Sequence, residues 1–360
     1  MGKLLFINTS LGQGGSERVM ALLASGLAER GEDVTMLLVR EGKQSSYPVS
    51  GRLKTEQLHY GTKNKLLILP KRFRQVRRVI RREKPDAVVS FMWDINAFTL
   101  LACAGLPVRV IVSERANPGA AASRRLIRRF TERVLYRLAD RVVLQTEYVR
   151  RFFPEAVQRK ATVIPNPVSE AMPEPLEGPR RREVVSAGRM TGQKNFPMLL
   201  RAFAAFRGTH PDWTLSLYGE GPERPALEKL CKELGLDGAV SMPGFSEQLS
   251  DRMRPAGIYA SSSDFEGISN VMLEALAMGL PSVCTDCPVG GASLAIRDGE
   301  NGLLVPVGDD KALAEALCRL ADDRALAERL SREAPKIRDT FSLDRICALW
   351  KEACGIAKEA

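Results

Sequence analysis

The sequence predicts an α/β protein built from two doubly wound, parallel-sheet domains. Three observations carry this. Short apolar runs of strand length alternate with amphipathic helical stretches from end to end. The alternation stops at a proline-rich stretch and then starts afresh. The 360 residues suffice for two cores of ordinary domain size.

In the first half, strands are expected near 3–8, 33–39, 86–91, 108–113, 141–145 and 161–164, with helices near 15–30, 70–83, 95–104, 123–139 and 146–153. In the second, strands are expected near 183–188, 213–218, 239–242, 257–261, 281–285 and 303–306. Its helices fall near 195–207, 223–234, 246–254, 269–278, 310–321 and 323–334. Pro165, Pro167, Pro173 and Pro175, followed by Gly178-Pro179, suit neither element and mark the linker. The expected domains are therefore 1–168 and 180–340, with a last helix near 342–357 in the tail 341–360 that could cross back to the first domain.

Composition narrows the class. With 44% hydrophobic and 27% charged residues, the chain sits in the soluble globular range. No run reaches the ~18 apolar residues of a membrane span, Pro107 and Arg109 breaking the best candidate. The opening Met1–Asn8 has too short an apolar core for a secretory signal, so a cytoplasmic protein is expected. Seven cysteines, mostly in apolar stretches, fit reduced thiols. The close pair Cys284 and Cys287 is read as buried or turn cysteines, because a zinc site would want more ligands than His59 and His210 supply. Charge is uneven: residues 1–168 carry 30 Lys+Arg against 14 Asp+Glu, and residues 169–360 carry 23 against 29.

Three stretches could carry chemistry. The first strand runs into Gly12-Gln13-Gly14-Gly15-Ser16-Glu17-Arg18 ahead of a helix, where glycines permit close approach and the helix start offers N–H donors to phosphate. It fails as a dinucleotide fingerprint, since Glu17 stands where Gly or Ala is needed, and a plain tight turn reads equally well. The second domain opens the same way, with Gly188-Arg189-Met190-Thr191-Gly192-Gln193-Lys194-Asn195 after its first strand. Two cations there can converge on one diphosphate at the mouth of the sheet. The third stretch runs from Asp264-Phe265-Glu266-Gly267-Ile268-Ser269-Asn270 through Glu274 to Gly279 and Pro281. Ser269 or Asn270 can cap a helix, placing Glu266 above its start and Glu274 about a turn inside. Carboxylates accept hydrogen bonds from sugar and ribose hydroxyls, while the helix end offers donors to a diphosphate.

Together, Glu266-x7-Glu274 within Glu-Gly-x-x-Asn…Glu-Ala-x-Ala-x-Gly-x-Pro, Gly188-Arg189…Lys194-Asn195 and Gly14-Gly15-x-Glu17-Arg18 closely resemble glycosyltransferase family 4. Ile164-Pro165-Asn166-Pro167 and Asp298-Gly299-x-Asn301-Gly302 extend the likeness over nearly the whole chain. The resemblance implies a GT-B fold, two Rossmann-like domains facing a central cleft, and a retaining transferase acting on a nucleotide-diphosphate sugar, UDP being the commoner base. It implies that Arg189 and Lys194 hold the diphosphate, Glu266 contacts the transferred sugar and Glu274 the ribose. Gly14 and Gly15 would let the first loop close over the phosphates, and the amides around Ile268, Ser269 and Asn270 would complete the anion site. No Asp-x-Asp occurs, so no metal or other cofactor is expected, the cations standing in for Mg²⁺.

One stretch departs from many relatives, which place a histidine where Val112-Ser113-Glu114-Arg115-Ala116-Asn117-Pro118 stands here. This resembles a subset that builds lipid-linked or surface glycans, often with N-acetylhexosamine. Glu114 and Arg115 are candidates near the acceptor, with a structural ion pair as the rival reading.

Between Lys63 and Lys84 the chain carries Lys65, Lys71, Arg72, Arg74, Arg77, Arg78, Arg81 and Arg82 against a single acid, Glu83. Leu69, Phe73, Val76 and Ile80 form an apolar stripe among them. Arg124, Arg125, Arg128, Arg129, Arg133 and Arg137 mark a second basic helix. The functional reading is peripheral attachment to an anionic membrane surface at the cytoplasmic face, suited to a polyprenyl-diphosphate-linked acceptor. The competing reading turns the stripe to the core and leaves the charges solvated. A nucleic-acid binder is the non-enzyme alternative, but no recognition motif accompanies the basic charge, so no nucleic-acid partner is expected. An epimerase or phosphorylase of similar fold is the enzyme alternative.

Overall fold

A computed structural model describes residues 1–12, 14–40, 47–61, 64–115 and 126–356. Lys63, Arg124, Arg125 and the Ala116, Asn117 and Pro118 stretch lie outside the described residues, as does the Lys65 side chain. Tertiary contacts divide the chain into two compact units, Met1–Pro167 with Phe341–Ala360, and Val168–Thr340.

The first unit is a seven-stranded, all-parallel sheet in the order β3-β2-β1-β4-β5-β6-β7. Its strands are β1 (Lys3–Asn8), β2 (Asp33–Leu38), β3 (Lys54–Gln57), β4 (Ala87–Phe91), β5 (Arg109–Ser113), β6 (Arg141–Leu144) and β7 (Ala161–Val163). Between them run α1 (Gly15–Glu29), α2 (Lys65–Glu83), α3 (Trp93–Cys103), α4 (Leu126–Arg133), α5 (Glu147–Arg150) and α6 (Glu155–Gln158). The strands of the sheet centre read as unbroken apolar runs because both faces are covered. Among the described strands, only β3 escaped the sequence reading: Lys-Thr-Glu-Gln is a polar edge strand with no apolar alternation to announce it.

The second unit repeats the scheme with a six-stranded parallel sheet, β10-β9-β8-β11-β12-β13. Its strands are β8 (Arg181–Ala187), β9 (Thr214–Tyr218), β10 (Val240–Gly244), β11 (Ala256–Ser261), β12 (Ser282–Thr285) and β13 (Leu303–Val305). Its helices are α7 (Phe196–Arg207), α8 (Arg224–Glu233), α9 (Leu249–Met253), α10 (Asn270–Ala277), α11 (Gly291–Ala295), α12 (Asp310–Asp322), α13 (Arg324–Glu333) and α14 (Ile337–Thr340). The last helix, α15 (Leu343–Cys354), belongs to the first unit. Ser342 caps it, its side chain accepting from the Arg345 N–H, and Gly355 ends it at φ 69°. There it packs on α1, and its Trp350, fully buried, lies 5.5 Å from the Phe91 ring.

Two expectations need correcting. The helix expected over 123–139 is broken: α4 stops at Arg133 and a 3-10 turn covers Leu135–Leu138. Most of the apolar stripe of α2 faces the protein, with Leu69 at its start left 61% exposed. Val76 and Ile80 are buried, and Phe73 meets Phe98 edge-on at 6.3 Å.

Candidate active site

In each doubly wound sheet the chain leaves one central strand leftward and the next rightward, and a crevice opens at the carboxyl ends where the direction switches. In the second unit that point lies between β8 and β11. The two loops expected to carry chemistry start from these two strands.

The loop after β8 holds Arg189 and Lys194 and ends at Asn195, whose φ of 43° turns the chain into α7 and whose side chain caps it. The loop after β11 holds Asp264 and Glu266 and ends at Ser269, which caps α10 by accepting from the Met272 N–H at 3.4 Å. A set of hydrogen bonds stitches the loops together. The Asp264 N–H donates to the Gln193 carbonyl at 3.0 Å, and Gln193 Nε2 donates to the Phe265 carbonyl at 3.0 Å. Asn195 Nδ2 donates to Asp264 Oδ1 at 2.6 Å, and the Ser262 hydroxyl to the Lys194 carbonyl at 2.9 Å. At the centre Lys194 Nζ pairs directly with Glu266 Oε2, both side chains mostly shielded from solvent. Arg189, on the same loop, is exposed and makes no ion pair among the described residues. Ile268 and Ser269 are buried and Asn270 half-buried at the start of α10. Glu274, a turn further in, is buried, and Ser250 Oγ donates to it at 3.5 Å.

Several supporting residues carried no motif. The Ser263 hydroxyl donates to Glu266 Oε2 at 3.3 Å, and the Ser263 carbonyl accepts from Thr285 Oγ1 at 2.6 Å and from Cys287 Sγ at 2.9 Å. Burial pushes the Cys287 thiol up to about 11, so it stays protonated and serves as a donor. Cys284 is buried beside it and its pKa is likewise raised, chiefly by desolvation. Two glycines are required by close approach. A Cβ at Gly188 would sit 2.7 Å from Lys194 Cε, and one at Gly291 would collide with the Gly267 carbonyl. Gly188 therefore gives the lysine stem its path, and Gly291 lets α11 press against the Glu266 loop.

In the first unit the switch lies between β1 and β4. Gly14 and Gly15 follow β1, Gly14 preceding the first turn of α1, and a Cβ at Gly14 would meet the Glu17 carboxylate. After β4, Met92 sits at φ 74°, a left-handed conformation for a residue with a side chain and the kind of strain that gathers at functional sites. Nothing in the sequence signals it.

Glu114 and Arg115 each take other hydrogen-bond partners. Glu114 is buried; its carboxylate accepts from Tyr136 Oη at 2.8 Å and lies 3.7 Å from Arg128. This enclosure by protein groups favours the structural ion pair over a place near the acceptor for Glu114. Tyr136 Oη also accepts from Asn96 Nδ2 at 2.8 Å, so Glu114 anchors a buried polar chain. Arg128 is no solvated cation either: it is buried and bonds Glu132 at 2.6 Å. One guanidinium thus serves two carboxylates. Burial and then the Glu114 charge raise Glu132 to about 7, outweighing the lowering by Arg128. Arg115 lies over the Phe91 ring at 4.3 Å and donates to Asn166 Oδ1 at 2.5 Å. Its Nε and Nη2 are buried without a hydrogen-bond partner among the described residues, and burial lowers its pKa to about 9.

The seven α2 cations from Lys71 to Arg82, read from the sequence as facing a membrane, separate into two groups. Lys71 donates to the Tyr60 carbonyl, Arg72 to Tyr60 Oη, and Arg77 to the Ala102 and Ala104 carbonyls. Arg82 pairs with Glu56 and Glu83. These four hold α2 in place. Arg74, Arg78 and Arg81 are exposed and make no ion pair among the described residues. No described helix is long and apolar enough to cross a membrane.

Comparison with known proteins agrees with this fold. Residues 14–167 match the family model described as a glycosyl transferase 4-like domain, and residues 181–323 match that of glycosyl transferases group 1. The lipopolysaccharide core biosynthesis glycosyltransferase LpsE of Rhizobium meliloti is 30% identical over 84% of each chain. A Campylobacter jejuni enzyme named GalNAc-alpha-(1->4)-GalNAc-alpha-(1->3)-diNAcBac-PP-undecaprenol alpha-1,4-N-acetyl-D-galactosaminyltransferase is 28% identical over 88% of each chain. Among solved structures, Anabaena HepE in complex with UDP and glucose superposes with a TM-score of 0.83 at 18% identity, covering 99% of this chain and 100% of that one. On these matches, the chain belongs to the family 4 glycosyltransferases and has their GT-B fold.

Proposed function

We propose that this glycosyltransferase moves a hexose or N-acetylhexosamine from a nucleotide-diphosphate sugar, UDP being the expected base, to a polyprenyl-diphosphate-linked glycan, with retention at the anomeric carbon and without a metal ion. The observation that carries the reading is the Lys194–Glu266 pair at the β8/β11 switch. As the sugar C1–O bond breaks, negative charge gathers on the departing diphosphate, and preorganised donors there lower the barrier. Lys194, Arg189 and the amides of Ile268, Ser269 and Asn270 supply them. Without donor, Glu266 holds the ammonium in place. With donor, the ammonium turns to phosphate and Glu266 accepts from hydroxyls of the transferred sugar, while Glu274 binds the ribose. The acceptor hydroxyl then forms the new bond to C1 on the same face, and its proton passes to the leaving phosphate oxygen.

The acceptor class is supported by the Campylobacter relative, whose name gives an undecaprenol-diphosphate saccharide. Attachment to an anionic membrane at the cytoplasmic face is supported by Arg74, Arg78 and Arg81, left outward on α2. The test is incubation of the enzyme in EDTA with UDP-N-acetylhexosamines and an undecaprenyl-diphosphate disaccharide. Release of UDP with a new α-linkage in the NMR spectrum of the product is expected. Free epimerised sugar, sugar phosphate, or activity only on metal addition would contradict the reading.

A further inference from the structure

α4 is built inside out. Its buried residues are Arg128, Thr131 and Glu132, while Leu126, Ile127 and Phe130 are 82%, 72% and 55% exposed. The same face continues into the following turn with Val134 at 45% and Leu138 at 58%. Leu126, Phe130 and Val134 fall four residues apart, in one row, and Leu138 is exposed in the 3-10 turn that follows. Arg129, Arg133 and Arg137 each stand one residue before Phe130, Val134 and Leu138. All three are exposed and make no ion pair among the described residues. The only acid between 126 and 139 is Glu132, turned inward onto Arg128. The inward pairing of Arg128 with Glu132 and Glu114 fixes which side faces out, so the apolar face is not an accident of rotation.

We infer that the α4 face inserts into an anionic lipid bilayer, its apolar row entering the acyl boundary and its arginines lying at the headgroups. An apolar row flanked by cations is the pattern of an interfacial helix. A second copy of this chain fits poorly, because a two-fold contact through this face would set arginine against arginine. Nor is the face isolated: α3 packs against both α2 and α4, with Leu101 of α3 47% exposed. The inference deepens the membrane reading above, and moves the inserting element from the α2 stripe to α4.

The test uses the full chain and vesicles of phosphatidylglycerol with phosphatidylethanolamine, against phosphatidylcholine alone. The emission of a Phe130→Trp variant, read as a difference from wild type, should blue-shift and be quenched by brominated acyl chains on anionic vesicles only. A Leu126→Ser, Ile127→Ser, Phe130→Ser variant should lose roughly tenfold or more in partition, since each side chain forgoes apolar burial. Its stabilisation by a UDP-sugar should be unchanged. Anionic vesicles that float the wild type and the triple variant equally, with no change in the emission of Phe130→Trp, would overturn this inference and leave membrane attachment standing. Vesicles that float neither would overturn both. A lipid-free dimer abolished by the triple variant would assign the face to self-association instead. If the triple variant fails to fold, the emission of Phe130→Trp decides.

Discussion

Gly188 and Lys194 work as a pair: the absent side chain of one is the path of the other. Replacing Gly188 with Ala puts a methyl 2.7 Å from Lys194 Cε, and the flexible stem yields more readily than the backbone. The ammonium is then displaced while the core is untouched. A charge-assisted hydrogen bond contributes about 1.5–3 kcal/mol, so Gly188→Ala should weaken donor binding roughly 10- to 100-fold by calorimetry with little change in melting temperature. Glu132 gives a pH prediction. Its raised pKa, about 7, means the folded chain holds that proton more tightly than the unfolded one. Its contribution is favourable at low pH and is lost as pH rises through about 7. Glu132→Gln should flatten that part of the stability profile measured by urea unfolding from pH 5 to 8. Arg189, Lys194, Glu266 and Glu274 could be picked from the sequence because each stands in a motif. Ser263, Cys287 and Gly291 could not: Ser263 stands in the Glu266 loop without belonging to its motif, and Cys287 and Gly291 lie beyond β12 and meet that loop only through the fold.

At the scale of elements, periodicity located most strands and helices but not which way a helix faces. The α2 stripe and the α4 stripe look alike in sequence. The first is buried apart from Leu69, with Arg72, Arg77 and Arg82 finding partners around it. The second is exposed because Arg128 is drawn inward by two carboxylates. Side-chain pairing between distant segments decides such cases, and no local pattern reports it. β3 was missed for the opposite reason, as a polar strand ordered by pairing with β2 and by the Lys54–Asp33 and Glu56–Arg82 ion pairs. α15 carries the element-scale prediction. Trp350 fills the first unit's core against Phe91, so Trp350→Ala should cost about 3–5 kcal/mol, read as a lower denaturant midpoint.

Across the whole molecule, the first half of the chain holds 30 basic residues against 14 acidic ones, while the second is acidic overall. Much of the positive excess is structural, spent on carbonyls and buried acids, so net charge overstates what a membrane meets. Each outward cation near an anionic surface contributes about 1 kcal/mol. Reversing Arg74, Arg78 and Arg81 to Glu should therefore lower vesicle partition by two orders of magnitude or more at low salt, and by less at high salt.

Whether Arg189 and Lys194 bind a sugar nucleotide's diphosphate is read out by thermal unfolding with UDP-, GDP- and ADP-sugars in EDTA. A ligand at ~100 times its dissociation constant adds about 2.7 kcal/mol of stability. One nucleotide class should raise the melting temperature of the wild type, and Lys194→Ala and Arg189→Ala should abolish most of that rise. An undiminished shift in both variants would contradict the account.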